Sequence, residues 1–159
     1  MVRPTADPPP GSQGVDQILA AARAKLRRTA PADAYLEYRA GAILADIRPV
    51  AQRAEHGEIP GSIVVERNVL EWRFDPRCEA RLPAADRYDH TIIVFCQEGY
   101  TSSLAAASLR DLGLWRATDL EGGFAAWREA GLSTVPMRTA DPVVGSPTDD
   151  PVHPRVTSG

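Results

Sequence analysis

The chain of 159 residues holds two cysteines, and the setting of one of them suits nucleophilic chemistry. Cys96 directly follows the apolar segment 91–95, which is typical of a buried strand, and it precedes a short polar stretch and an Ala/Leu-rich segment at 104–112. A tight turn between a strand and a helix can point main-chain N–H groups inward and hold an anion. Cys96 is therefore a candidate nucleophile, whereas Cys78 lies in a polar segment predicted to be a loop.

The residues that follow Cys96 predict how a thiolate would be held. Gly99 supplies backbone freedom for a tight curl, and the N-terminus of the next helix adds a partial positive charge. Either hydroxyl residue at 101–102 is expected to cap that helix. These effects favour a thiolate; the strand–cysteine–helix order alone also fits a small apolar residue that ends a buried strand. The predicted anion-binding loop consists of Gln97, Glu98, Gly99, Tyr100, Thr101 and Ser102.

The elements that must position this loop follow from the hydrophobic pattern. Apolar residues recur at helical spacing over 15–26, and a second helix is expected after Pro31. Four apolar runs (42–47, 63–65, 91–95 and 115–120) predict strands, and the segments 52–56, 69–72, 104–112 and 124–130 predict helices. Strands that alternate with helices favour a parallel α/β sheet, whose ligands bind beyond the carboxyl ends of strands. The helix at 15–26 is expected to pad the core, and the alternative is that it docks another protein.

Composition narrows the class of protein. With 43% hydrophobic and 25% charged residues the chain is typical of a soluble globular domain. A net charge of -3 indicates neither a nucleic acid nor a membrane as partner. The first 14 residues lack the apolar stretch of a secretory signal, so a cytoplasmic location is expected, where disulfides are rare. Two cysteines and three scattered histidines do not predict a metal site. Proline-rich segments at 1–13 and 137–159 predict disordered tails around one domain at 14–136.

Three motifs in this order resemble the rhodanese-like family, and the likeness spans roughly residues 30–136. The first is Asp46-Ile47-Arg48 followed by the segment 57–62, with Glu58 where the family usually has His. The second is the segment 96–101, which resembles a six-residue active-site loop that starts with the persulfide cysteine. The third is the segment 120–127, with two glycines and a closing Trp127. The resemblance implies a five-stranded parallel sheet flanked by helices, and sulfur transfer through Cys96 without a metal or an organic cofactor.

The resemblance also implies a function and its partners. A sulfurtransferase or sulfur carrier of this family would move sulfane sulfur from a small persulfide or thiosulfate-type donor to a thiol acceptor, which could be a protein thiol. A monomer or a homodimer is expected. Asp46, Arg48 and Arg67 are accessory candidates; Arg48 either lies near the active-site mouth or forms an ion pair that braces the first motif against neighbouring loops. Tyr100 either forms a wall of the acceptor pocket or rests on the outside of the helix. The alternative function is a non-catalytic binding or regulatory module.

Two departures from related patterns bear on the substrate. Relatives that use thiosulfate tend to carry basic side chains where this chain has Gln97 and Glu98, and a carboxylate there would oppose a dianionic donor. This argues against thiosulfate as the physiological donor, unless Arg48, Arg67 or Arg73 folds over the site. A phosphatase on the same fold would place an arginine fork six residues after the cysteine, where this chain has Ser102.

Overall fold

The structure of the chain is a computed structural model that describes residues 2 and 6–138. Over these residues it contains α1 (Val15–Ala24), α2 (Pro31–Arg39), β1 (Ile43–Asp46), α3 (Val50–His56), β2 (Ile63–Val64), a 3₁₀ turn (Arg67–Val69), α4 (Leu70–Phe74), β3 (Ile92–Phe95), α5 (Thr101–Asp111), β4 (Ala117–Asp119) and α6 (Gly123–Glu129). Each predicted helix and strand is present, with shifted ends. The tails predicted at 1–13 and 137–159 are described only in part, since residues 1, 3–5 and 139–159 lie outside the described residues, and their disorder stays a prediction.

The described part of the chain forms one parallel sheet of four strands in the order β2-β1-β3-β4. The count of five strands that the family resemblance implied is wrong for a local reason. At the free edge of β4, Thr29 makes a single parallel bridge with Leu120, and its N–H donates to the Asp119 carbonyl at 3.0 Å. Two residues later Pro31 begins α2, and proline has no N–H with which to extend a ladder. The fifth position of the sheet is therefore occupied by one residue.

Alternate residues of β3 enter two separate cores, one on each face of the sheet. Ile92 and Val94 are buried on the face covered by α4 and α5, whereas Ile93 and Phe95 are buried on the face covered by α2 and α6. Helices on both faces explain why β3 is continuously apolar. The register pairs Asp46 with Phe95, so β1 and β3 end at the same level. Cys96 follows directly, at the carboxyl edge of the sheet.

Helix α1 packs on α5 and leaves part of its apolar stripe in solvent. Ala22 is buried in that contact, but Val15 and Ile18 are exposed. The expectation that α1 pads the core therefore holds only for its C-terminal half. Among the described residues, the structure contains no helix that combines the length and apolarity needed to cross a membrane.

Candidate active site

Cys96 lies at the end of β3 with only 7% of its surface exposed, under a loop that curls back over it. The main-chain N–H of Gly99 donates to Sγ at 3.2 Å, and Gly99 has a φ of 86° that suits glycine. Among the described residues this is the one main-chain donor on the sulfur. One of the predicted main-chain N–H contacts to the cysteine sulfur is therefore present. Contacts from further N–H groups to the outer sulfur of a persulfide stay a prediction.

The start of α6 fixes the backbone of the cysteine loop from the side of β4. The N–H groups of Phe124 and Ala125 donate to the carbonyls of Cys96 and Gln97 at 2.9 and 3.0 Å. The approach is close because Gly123 has no side chain: a Cβ there would lie 2.5 Å from the Cys96 oxygen and 2.8 Å from the Gly99 nitrogen. The glycine pair of the third motif therefore acts on the loop that carries Cys96.

Arg48 is buried next to the loop and joins three segments. Its guanidinium forms a bidentate ion pair with Asp46, donates to the Gly57 carbonyl at 2.8 Å, and donates to the Gln97 side-chain oxygen at 3.0 Å. The group also lies 4.1 Å from the centre of the Phe124 ring. The bracing ion pair expected for this motif is present, and through Gln97 it extends to the loop.

Asp119 organises the back of the loop, and sequence reasoning missed it. Its buried carboxylate accepts hydrogen bonds from the hydroxyls of Ser102 and Ser103 at 2.9 and 2.7 Å and pairs with Arg28. Neither hydroxyl residue at 101–102 caps α5, contrary to the prediction, because Ser102 turns to this carboxylate and Tyr100 occupies the N-cap position. A signal was present in the sequence, since Asp119 is an acidic residue inside the segment 115–120 that is predicted to be a strand.

Two cations from the N-terminal segment also reach the loop. Arg23, on α1, donates to the Gly99 carbonyl at 2.9 Å, and Arg28 donates to the same oxygen at 3.1 Å. The sequence showed only that this segment is basic. These arginines precede Gly99 by more than 70 residues, so no pattern in the sequence indicated the contact.

The other candidates lie away from the sulfur or at the surface. Arg67 pairs with Glu71 at 2.7 Å, and Arg73 donates to the Ala80 carbonyl, so each has a local partner. Glu98 is exposed, and Tyr100 is 62% exposed with the Arg23 guanidinium 5.8 Å from its ring centre. Tyr100 therefore rests on the outside of the loop in this state. Cys78 is half-buried in the loop at 75–81.

Sequence comparison finds sulfurtransferases among the relatives of this chain. A model of the family described as "Rhodanese-like domain" matches residues 30–130. The chain is 35% identical to a thiosulfate sulfurtransferase GlpE of Stutzerimonas stutzeri over 109 residues, which cover 69% of this chain and 91% of that protein. It is 30% identical to a sulfurtransferase of Allochromatium vinosum over 93 residues, 58% of this chain and 78% of that protein.

Solved structures show the same fold. A Rhodopseudomonas palustris protein of unknown function, described as a "Possible Tyrosine Phosphatase", superposes with a TM-score of 0.72 at 31% identity and covers 82% of this chain and 100% of its own. The human single-domain sulfurtransferase TSTD1 superposes with a TM-score of 0.52 at 25% identity, covering 64% of this chain and 95% of its own. Both the parallel sheet and the flanking helices are shared with these proteins.

Proposed function

Because the chain belongs to the Rhodanese-like domain family, we propose that it is a sulfurtransferase that carries sulfane sulfur on Cys96. The observation that carries the proposal is the N–H of Gly99 on Sγ at 3.2 Å, at the carboxyl edge of a parallel sheet. An N–H group that the loop holds at this position stabilises the negative charge that develops on the sulfur. The names of the curated relatives, which are sulfurtransferases, point to the same class of reaction.

The proposed reaction is two displacements at sulfur. The Cys96 thiolate attacks the outer sulfur of a donor R–S–S⁻, the donor S–S bond breaks, and R–S⁻ leaves and takes a proton from solvent. Cys96 then holds the sulfur as a persulfide. An acceptor thiolate attacks that outer sulfur, the Cys96 S–S bond breaks, and the Cys96 thiolate is regenerated. No oxidant, metal or organic cofactor enters this balance.

The charge on the loop supports a monoanionic donor over thiosulfate. Glu98 is exposed on the loop, and the arginines near it are already engaged with protein groups. Arg23 and Arg28 bind the Gly99 carbonyl, and Arg67 and Arg73 have local partners, so none of these four is left to pair directly with a dianion. Arg48 is held by Asp46, Gly57 and Gln97. We therefore favour a low-molecular-weight thiol persulfide or a persulfidated protein as donor, and a small or protein thiol as acceptor.

The test is the intact mass of the protein after incubation with a sulfane-sulfur donor. We expect the wild type to gain one sulfur atom and to lose it when a thiol acceptor is added. The variant Cys96→Ala is expected to gain none, while the matched variant Cys78→Ala gains one. A sulfur that remains on the protein in Cys96→Ala and disappears in Cys78→Ala would refute the assignment.

Two alternatives give different results in the same set of assays. A non-catalytic binding module would gain no sulfur from any donor in a screen of persulfides and thiosulfate. A phosphatase, the activity suggested for the Rhodopseudomonas palustris protein, would hydrolyse a generic aryl phosphate. The structure offers little for phosphoryl binding, since Ser102 stands at the position of the arginine fork and its hydroxyl donates to Asp119.

A further inference from the structure

Two arginines that precede the family-matched region contact the same residue that contacts the sulfur. Arg23 and Arg28 both donate to the carbonyl oxygen of Gly99, at 2.9 and 3.1 Å, while the N–H of Gly99 donates to Cys96 Sγ at 3.2 Å. The matched region begins at residue 30. The loop that contacts the sulfur is therefore hydrogen-bonded to a segment that precedes the region matched by the family model.

Both guanidinium groups are themselves fixed. Arg28 pairs with Asp119 through two hydrogen bonds of 3.0 and 3.2 Å, and that carboxylate is fully buried. Arg23 donates from Nε to the Ser103 hydroxyl at 3.1 Å, and that hydroxyl donates in turn to Asp119. Two cations face one carboxylate in this network, so a net positive charge remains directly behind the loop.

We propose that Arg23 and Arg28 are positioning residues for Cys96. They hold Gly99 in the conformation that keeps its N–H on the sulfur, and their charge favours the anionic thiolate. This effect on the thiolate does not depend on the proposed function, whereas the same stabilisation of a persulfide anion on Cys96 rests on it. The loop itself offers Gln97 and Glu98 at the positions where related loops carry cations, so α1 and the residues after it supply the positive charge from the other side.

The experiment measures the alkylation rate of Cys96 by iodoacetamide over a series of pH values. The background substitution Cys78→Ser leaves Cys96 as the one thiol of the chain, since the sequence has two cysteines. We expect Arg23→Ala and Arg28→Ala each to slow alkylation at neutral pH by about 3- to 10-fold, and to move the profile to higher pH. The matched control is Arg27→Ala, which removes the same charge from an exposed side chain between them and is expected to leave the profile unchanged.

A merely structural anchor would behave differently. It would lower the melting temperature of the alanine variants without moving the pH profile of the thiol. Arg23→Lys keeps the charge and is expected to restore most of the alkylation rate. Arg28→Ala removes the ion-pair partner of the buried Asp119 and can therefore destabilise the fold. Arg23→Ala, which truncates a half-buried side chain, is therefore the deciding variant. A folded Arg23→Ala protein whose profile overlays that of Arg27→Ala would overturn the proposal.

Failure of this inference and failure of the proposed function are distinguishable. Alkylation needs no sulfur donor, so it reports on the arginines even if wild-type Cys96 never gains sulfur. Conversely, a wild type that gains sulfur together with unmoved alkylation profiles would keep the sulfurtransferase and exclude the positioning role.

Discussion

The substitution Gly123→Ala tests whether the glycine pair positions the cysteine loop. Gly123 has a φ of +63°, and a Cβ there would lie 2.5 Å from the Cys96 oxygen, 2.8 Å from the Gly99 nitrogen and 2.9 Å from the Gln97 carbonyl carbon. These are all backbone atoms, so no flexible side chain can move aside. The left-handed backbone costs an alanine about 1–2 kcal/mol, and the forced displacement of a packed segment costs about 1–3 kcal/mol more.

The same clash predicts a loss of activity. To regain ordinary contact distances the loop must shift by about half an ångström or more, and a displacement of about 1 Å at a reacting group can cost on the order of 100-fold in rate. We therefore expect Gly123→Ala to remain folded, with a free energy of unfolding lower by about 2–5 kcal/mol, and to lose most of its sulfur-transfer rate. Urea unfolding followed by tryptophan fluorescence gives the first quantity, and single-turnover kinetics with a persulfide donor give the second.

Gly131→Ala is the matched control for this prediction. Gly131 has a φ of +77°, and a Cβ there would have no neighbour within 4 Å. An alanine at this position has the same backbone strain as an alanine at 123 but no clash. We therefore expect Gly131→Ala to lose about 1–2 kcal/mol of stability and no activity. Equal sulfur-transfer rates in the two folded variants would refute the claim that Gly123 positions the loop.

Two further predictions concern charges at the site. Arg48→Ala leaves the fully buried Asp46 carboxylate without its ion-pair partner, so we expect the free energy of unfolding in urea titration to fall by about 3–5 kcal/mol. The control Arg77→Ala, at an exposed arginine, is expected to change it by less than about 1 kcal/mol. Similar losses in both variants would contradict the bracing role of Arg48. Glu98→Lys is expected to raise kcat/KM for thiosulfate about fivefold or more at low salt, with a smaller gain at high salt, because it replaces repulsion of a dianion by attraction. Glu129→Lys, which makes the same charge change at the exposed far end of α6, is expected to have no effect, and unchanged thiosulfate kinetics in Glu98→Lys would show that the loop charge does not select the donor.

The amino-acid sequence by itself determined the order of helices and strands and the location of the candidate nucleophile. These follow from local causes: the apolar run 91–95 buries a strand on both faces, and the polar turn after it leads into an Ala/Leu-rich helix. The pairing of Asp46 with Arg48 was likewise foreseeable, because the two residues are near neighbours in the chain. The five-stranded sheet was not realised, because Pro31 ends the ladder after a single bridge at Thr29.

Only the tertiary structure decided which groups support the loop. Asp119, Arg23 and Arg28 converge on it through contacts that span 17 to 76 residues of the chain, and no sequence period records such a contact. Which cation meets which carbonyl depends on how α1 packs against α5 and on the parallel register that brings the end of β4 beside the end of β3. Local pattern thus placed the sulfur, and the packing of distant segments placed the charges around it.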